Sequence, residues 1–318
     1  MHMVDALLSP AVGVVMTAVS AGAIGLSVKK IKNNPAEPDK FDEKKIPAMA
    51  VLGAFIFAGQ MINFTIPGTG SSGHIGGGIL LAAVLGPFPA LLTLASVLLI
   101  QCLFFADGGL LAYGCNLFNL GVCTCLFAYP LIYKPIIKKW GFSKKTISIA
   151  SVFSAILGLQ AGAFAVVLET TVSGVASLPF VTFAVLMQPI HLAIGIVEGI
   201  VTAAVLCFIH SVRPEILDGA GNTETKSFKK VLLILILVTF IVGGALSIFV
   251  SELPDGLEWS IEHAQTDTEA NPDDDGEGIM EYNSLTGIIG SVITIILAGS
   301  IGVIIRAVKR RTKKTGAS

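Results

Sequence analysis

Charge is scarce in this 318-residue chain, where Asp, Glu, Lys and Arg together make up 14% of the residues. A water-soluble domain carries about 25%. The deficit, with a hydrophobic content of 53% and a mean hydropathy of +0.80, excludes an ordinary soluble fold. Cysteine is sparse and unpatterned. Cys102, Cys115, Cys123, Cys125 and Cys207 lie in apolar segments with no CxxC pair, which gives neither a disulfide framework nor metal spacing, and they read as packing residues. No GxxxxGK[ST] loop occurs, so the chain does not hydrolyse ATP by that route. HExxH and GxSxG are missing too, which argues against an intramembrane protease of the zinc or serine-elbow kind. No basic residue precedes the first apolar run, Leu7–Val28, and the cluster Lys29, Lys30 and Lys32 follows it. That polarity is wrong for a secretory signal despite Ala21-Gly22-Ala23, so the run is read as a retained helix.

What the chain has in abundance is apolar stretches, and a bilayer crossing needs about 20 such residues. They fall near 7–28, 47–65, 75–87, 88–105, 110–133, 147–169, 179–210, 230–250 and 285–307. The third is short and meets the fourth at Gly86-Pro87-Phe88-Pro89, a tight turn between two helices. The expected fold is all-α: a polytopic transmembrane helix bundle in the inner or plasma membrane, with about nine crossings, a seven-helix core plus two. With the N-terminus outside and the C-terminus inside, segments 29–45, 134–146, 211–229 and the tail after 307 face inward. All 21 Lys and Arg residues then lie in or immediately beside those segments.

The expected division is a core at 1–210, a cytoplasmic linker at 211–229, and a two-helix unit at 230–318 with an external loop at 251–284. That loop holds 11 of the 22 acidic residues and no Lys or Arg. Its Asp273-Asp274-Asp275 run reads as solvated chain. A Ca2+ site there is the lesser reading, since the spacing departs from an EF-hand.

Metal chemistry enters at the start of the chain. With Met1 retained, its α-amine, the main-chain nitrogen of His2 and an imidazole nitrogen of His2 can close fused five- and six-membered chelate rings. Such a nitrogen set favours square-planar Ni(II), Cu(II) or low-spin Co(II) over Zn(II). Gly68, Gly70 and Gly73 spell GxGxxG, yet no βαβ unit surrounds them and the topology puts them outside, so a dinucleotide site is rejected. A glycine- and serine-rich hairpin instead folds back into the bundle and presents His74 on the same face as Met1 and His2. An incidental loop histidine is the competing reading.

Polar residues inside helices are usually paired or functional. Asp107 ends the fourth crossing. Asn116 and Asn119 lie three apart on the fifth, and His191 and Glu198 seven apart on one face of the seventh. They read either as structural hydrogen-bonding groups or as residues that orient a metal ligand. Pairs at Gly158/Gly162, Gly195/Gly199 and Ala18/Gly22 suit close helix packing or docking of another membrane subunit.

Several blocks resemble the nickel/cobalt substrate-capture components of energy-coupling factor transporters: Met1-His2-Met3 with Asp5 to Pro10, Ile66 to His74, Leu85-Gly86-Pro87, Leu99 to Gly109, Gly114 to Gly121, and His191 to Gly199. The glycine loop reads GTGSSG where that family often reads GGTSG. The resemblance implies metal held by Met1, His2 and His74, with Asp107, Asn116 and Asn119 at family positions. Residues 230–307 resemble the family's two-helix accessory subunit, fused here, with Leu253-Pro254-Asp255-Gly256-Leu257-Glu258-Trp259 after its first helix. Pro254, Asp255 and Gly256 sit where they can reach the N-terminal site. The resemblance further implies Ni2+ or Co2+ as the transported substrate, no resident cofactor, no enzymatic activity in this chain, a transmembrane coupling subunit, a separate cytoplasmic ATPase pair, and a core that tilts to release metal inside. No nucleic-acid partner is expected. The rival reading is a secondary transporter or channel driven by an ion gradient, with His191, Glu198 and Asp107 as a proton route.

Overall fold

The computed structural model describes residues 1–33, 46–218, 225–245, 250–265 and 284–315. The Asp273–Asp275 run, with its Ca2+ reading, lies outside the described residues, as do Lys40, Lys44, Lys45 and part of the 211–229 linker.

Apolar composition over long uninterrupted runs makes the chain helical. The helices are α1 (Pro10–Asn33), α2 (Ile46–Gln60), α3 (Gly78–Leu85), α4 (Pro87–Phe105), α5 (Tyr113–Trp140), α6 (Lys144–Ser173), α7 (Phe180–Val212), α8 (Thr225–Phe240, with π-helical turns over Ile241–Ala245), α9 (Gly256–Ala264) and α10 (Ser284–Thr315). Among the described residues, six apolar stretches are long enough to cross a membrane: Pro10–Lys32, α4, α5, α6, α7 and Leu285–Ala307. The apolar helices Ile46–Gln60 and Val231–Ala245 are shorter. α2 is buried on every side except at Pro47 and Gly59 and lies at the centre, between α4, α8 and α10. By contrast α1 leaves Val14 and Val15 exposed, the pattern of a helix that faces lipid.

The third predicted segment differs from its neighbours. α3 has 8 residues, which at 1.5 Å per residue reaches about 12 Å against a hydrocarbon core of about 30 Å. Before it runs a buried, non-helical arm. The cause is local: Gly73, Gly76, Gly77 and Gly78 disfavour helix, and Glu198 of α7 accepts the backbone N–H of Gly76 at 2.7 Å and of Gly77 at 3.0 Å. Irregular backbone is tolerated inside a membrane bundle where protein encloses it in this way. The arm belongs to a hairpin, β1 (Phe64–Ile66) antiparallel to β2 (Ser71–Gly73), with Thr65 opposite Ser72. Its turn uses Gly68 and Gly70 at φ of 78° and 75°.

The small-residue pairs divide. Gly195 and Gly199 of α7 face Ile156 and Val152 of α6, while Gly158 and Gly162 of α6 face Thr124 and Asn119 of α5. These are internal packing contacts. A Cβ placed on Gly22 of α1 would meet no other element within 4 Å among the described residues. The last two helices close on the core through α2, where Gly290 of α10 lies against Phe57. α5 is π-helical over Leu117–Tyr133, a rare geometry, and Asn119 lies in its first turn.

Candidate metal centre

The first nine residues thread into the bundle. Met1, His2 and Met3 are buried, with Met3 at 0% exposure. Asn116 of α5 clamps the tail on both sides of one residue: its Oδ1 accepts Met3 N–H at 2.7 Å and its Nδ2 donates to Met3 O at 3.0 Å. Gly109 N–H also donates to Met3 O, at 3.1 Å, and Asp5 accepts the N–H of Ala112 at 2.9 Å. Asn119 donates to Glu169 at 2.8 Å and lies 3.7 Å from Met3 Sδ. The bonds at Met3 satisfy its N–H and C=O, which would otherwise be bare polar groups in the interior.

The clamp places the Met1 α-amine 2.7 Å from Asp255 Oδ2. His2 Nδ1 lies 2.8 Å from Asp107 Oδ1. A six-membered chelate ring through the His2 main-chain nitrogen closes only on Nδ1. Both nitrogens that flank the chelate therefore face carboxylates, and ligation by them requires those pairs to open. Opposite stands His74, whose ring stacks on His2 with centroids 4.8 Å apart and planes 10° apart. His74 Nδ1 is 3.2 Å from Ile75 O, and a carbonyl only accepts, so Nε2 keeps the lone pair. The Nε2 atoms of His2 and His74 are buried and find no hydrogen-bond partner among the described residues.

Electrostatics favour ligation. Burial, then the positive N-terminus and His2, lowers His74 from its ordinary range to about 3, so the ring is neutral at physiological pH. Burial works to raise the Asp255 carboxyl, but the Met1 ammonium beside it and the hydrogen bonds it accepts hold it well below the usual carboxylate range. No three His, Cys, Asp or Glu side chains among the described residues converge as a metal cage.

The hairpin that carries His74 is held from three directions. Glu198 fixes the Gly76 and Gly77 amides, and Gln60 of α2 donates to Gly76 O at 2.8 Å. Ser72 N–H donates to Pro254 O at 2.8 Å, and Ser72 Oγ donates to Leu253 O at 2.7 Å. Despite the longer GTGSSG loop, His74 meets His2. Asp255 then starts α9 as a capping box: its Oδ1 accepts the N–H groups of Leu257 and Glu258, and Glu258 accepts the Asp255 N–H. Pro254, Asp255 and Gly256 thus touch the hairpin, the amine and α7.

The polar helix residues take separate partners. Asp107 meets His2, and Asn116 and Asn119 hold the tail. Glu198 holds the hairpin, and His191 donates from Nδ1 to Met187 O at 2.8 Å. Glu169 joins them as a residue that no motif singles out, although a lone acidic residue in an apolar span is itself a signal. Asp5, Gln60 and Ser72 carry no such signal, because polar residues at segment ends are common.

A family profile described as "Cobalt uptake substrate-specific transmembrane region" matches residues 2–216, and one described as "PDGLE domain" matches residues 229–284. A protein of Archaeoglobus fulgidus named for fused nickel transport is 28% identical over 305 residues, 96% of this chain and 95% of its own length. A cobalt transport protein of Sorangium cellulosum is 31% identical over 177 residues, 54% of this chain and 76% of its own. A crystal structure of a transition metal transporter superposes with a TM-score of 0.57 at 30% identity, covering 67% of this chain and 93% of that one.

Proposed function

This chain belongs to the cobalt-uptake substrate-specific transmembrane family and carries a PDGLE domain behind that region, and from that premise we propose that it captures Ni2+ or Co2+ on Met1, His2 and His74 for an ATP-driven uptake transporter. The observation that carries the reading is the convergence of a buried α-amine, the adjacent His2 and the stacked His74 in one enclosed site. Four nitrogens, from the Met1 amine, the His2 main chain, the His2 ring and His74, suit a planar Ni2+ or Co2+ ion. Asp107 and Asp255 hold the chelating nitrogens until metal replaces the protons, and remain beside it as counter-charges.

In this reading the chain crosses the membrane nine times with the N-terminus outside. The buried hairpin arm and α3 together make the third crossing. Residues 1–210 form the capture core, and 230–318 the accessory unit joined by a cytoplasmic linker. ATP hydrolysis belongs to a separate ATPase pair that acts through a transmembrane coupling subunit, since the chain has no phosphate-binding loop. The gradient-driven alternative loses its motivation because Asp107, His191 and Glu198 have different partners. Metal accumulation in cells expressing this chain with and without the coupling subunit and ATPases tests the reading. Accumulation that needs those partners supports it, and equal accumulation without them contradicts it.

A further inference from the structure

His191 has no role among the four nitrogens. Its Nδ1 lies 2.8 Å from Met187 O, so Nδ1 carries the hydrogen and Nε2 presents a lone pair. The residue is 0% exposed, and Nε2 finds no hydrogen-bond partner among the described residues. An orphaned buried ring nitrogen is a penalty that a structure keeps for a reason. The Met187 bond explains the ring's orientation and leaves Nε2 unexplained.

The surroundings of that atom point to a ligand. Gly256 packs beside the ring edge: a Cβ there would stand 3.2 Å from His191 Cε1, the carbon bonded to Nε2, and would also press on Ile190. The residue before it, Asp255, places Oδ2 2.7 Å from the Met1 amine. One corner of the accessory unit therefore joins an unused imidazole nitrogen to the first nitrogen of the capture site.

We propose that His191 Nε2 and the Asp255 carboxylate form a loading position for Ni2+ or Co2+ beside the four-nitrogen site. The proposal rests on the capture reading above. One imidazole and one carboxylate, with the ion's own waters, make a mixed nitrogen and oxygen set that holds an aquated divalent ion loosely. The nitrogen-rich site next to it binds the same ion more strongly, so transfer runs toward Met1 and His2. Gly256 fits this role because its missing side chain leaves the ring edge uncovered.

The test uses the full chain in lipid nanodiscs with Co2+ and Ni2+ alone as probes. In a His2→Ala/His74→Ala variant, one Co2+ should still bind, about a hundredfold or more weaker than in the unaltered chain, with X-ray absorption reporting one imidazole. Adding His191→Gln or Asp255→Asn should remove that remaining binding. In the otherwise unaltered chain, His191→Gln should slow Ni2+ association about tenfold in stopped-flow mixing. The loading position is overturned if the folded double variant binds no Co2+, or if its residual binding survives both added substitutions. A double variant that keeps full affinity contradicts the capture reading itself, and the loading position falls with it.

Discussion

The Met1 α-amine and Asp255 Oδ2 lie 2.7 Å apart although 254 residues separate them in the chain. The pair joins the first residue of the core to the first residue after the Leu253-Pro254 step of the accessory unit. It also means that the proposed first ligand is held as an ammonium, which has no lone pair to give. Metal and proton therefore compete for the same atom.

That competition predicts proton release. Ligation displaces a proton from the Met1 ammonium and the amide proton of His2, while the Nδ1 proton that His2 shares with Asp107 moves to Nε2 as Nδ1 takes the metal. Calorimetric titration with Ni2+ in two buffers of different ionisation enthalpy should give different apparent heats, and identical heats contradict the assignment. Affinity should fall as pH falls, about tenfold per pH unit for each proton released. His74, which burial and the neighbouring positive N-terminus hold down to about 3, adds to that loss only as the pH approaches that value.

His74→Ala should weaken Ni2+ binding at least about a hundredfold, because a nitrogen of the metal's own coordination set is lost. The fold should persist, since the hairpin is held by Glu198 and Gln60 at Gly76 and Gly77 rather than by His74. Equilibrium dialysis with a thermal melt of the same variant checks both halves. Unchanged affinity moves the fourth nitrogen elsewhere.

Glu198 is a positioning residue, and its two acceptor oxygens can be tested separately from metal. Glu198→Ala leaves two buried amides unsatisfied, at about 1–3 kcal/mol each, and should lower both the melting temperature and the affinity for Ni2+. Glu198→Gln keeps one carbonyl oxygen and should recover part of each. If the alanine variant melts lower but binds with unaltered affinity, Glu198 stabilises the fold without placing His74.

Much of this architecture is legible in the amino-acid sequence. Apolar runs mark where the helices lie, because long hydrophobic stretches leave few alternatives, and each of the nine predicted segments contains one. His2 and His74 stand out because the residue types and the glycine-rich spacing carry their own chemistry. The third segment is visibly short, but its division into a buried arm and α3 depends on Glu198, 122 positions beyond Gly76. The pairing of Met1 with Asp255 is not legible: it arises from how the accessory unit docks on Ser72, and no local pattern reports a contact across 254 residues. Glu169 is visible as an isolated carboxyl and shows its role only beside Asn119.

Removing residues 230–318 should impair uptake far more than equilibrium binding. The proposed four nitrogens all lie within residues 1–74, so a folded truncated chain retains them. It loses Asp255 and the contact with Ser72. Ni2+ titration of the truncated chain, paired with uptake in cells carrying the coupling subunit and ATPases, checks the split. Loss of equilibrium binding from a folded truncation would place a ligand in the accessory unit.

The central claim is that the α-amine of Met1 is a metal ligand, and a one-residue extension tests it most directly. A glycine placed before Met1 converts the amine into a peptide nitrogen and moves the new amine beyond the five-membered ring, while leaving His2, His74 and the helices unchanged. Ni2+ titration of the extended chain, with the N-terminus verified by mass spectrometry, should show loss of tight binding, at least about a hundredfold. Native affinity in the extended chain would contradict the account.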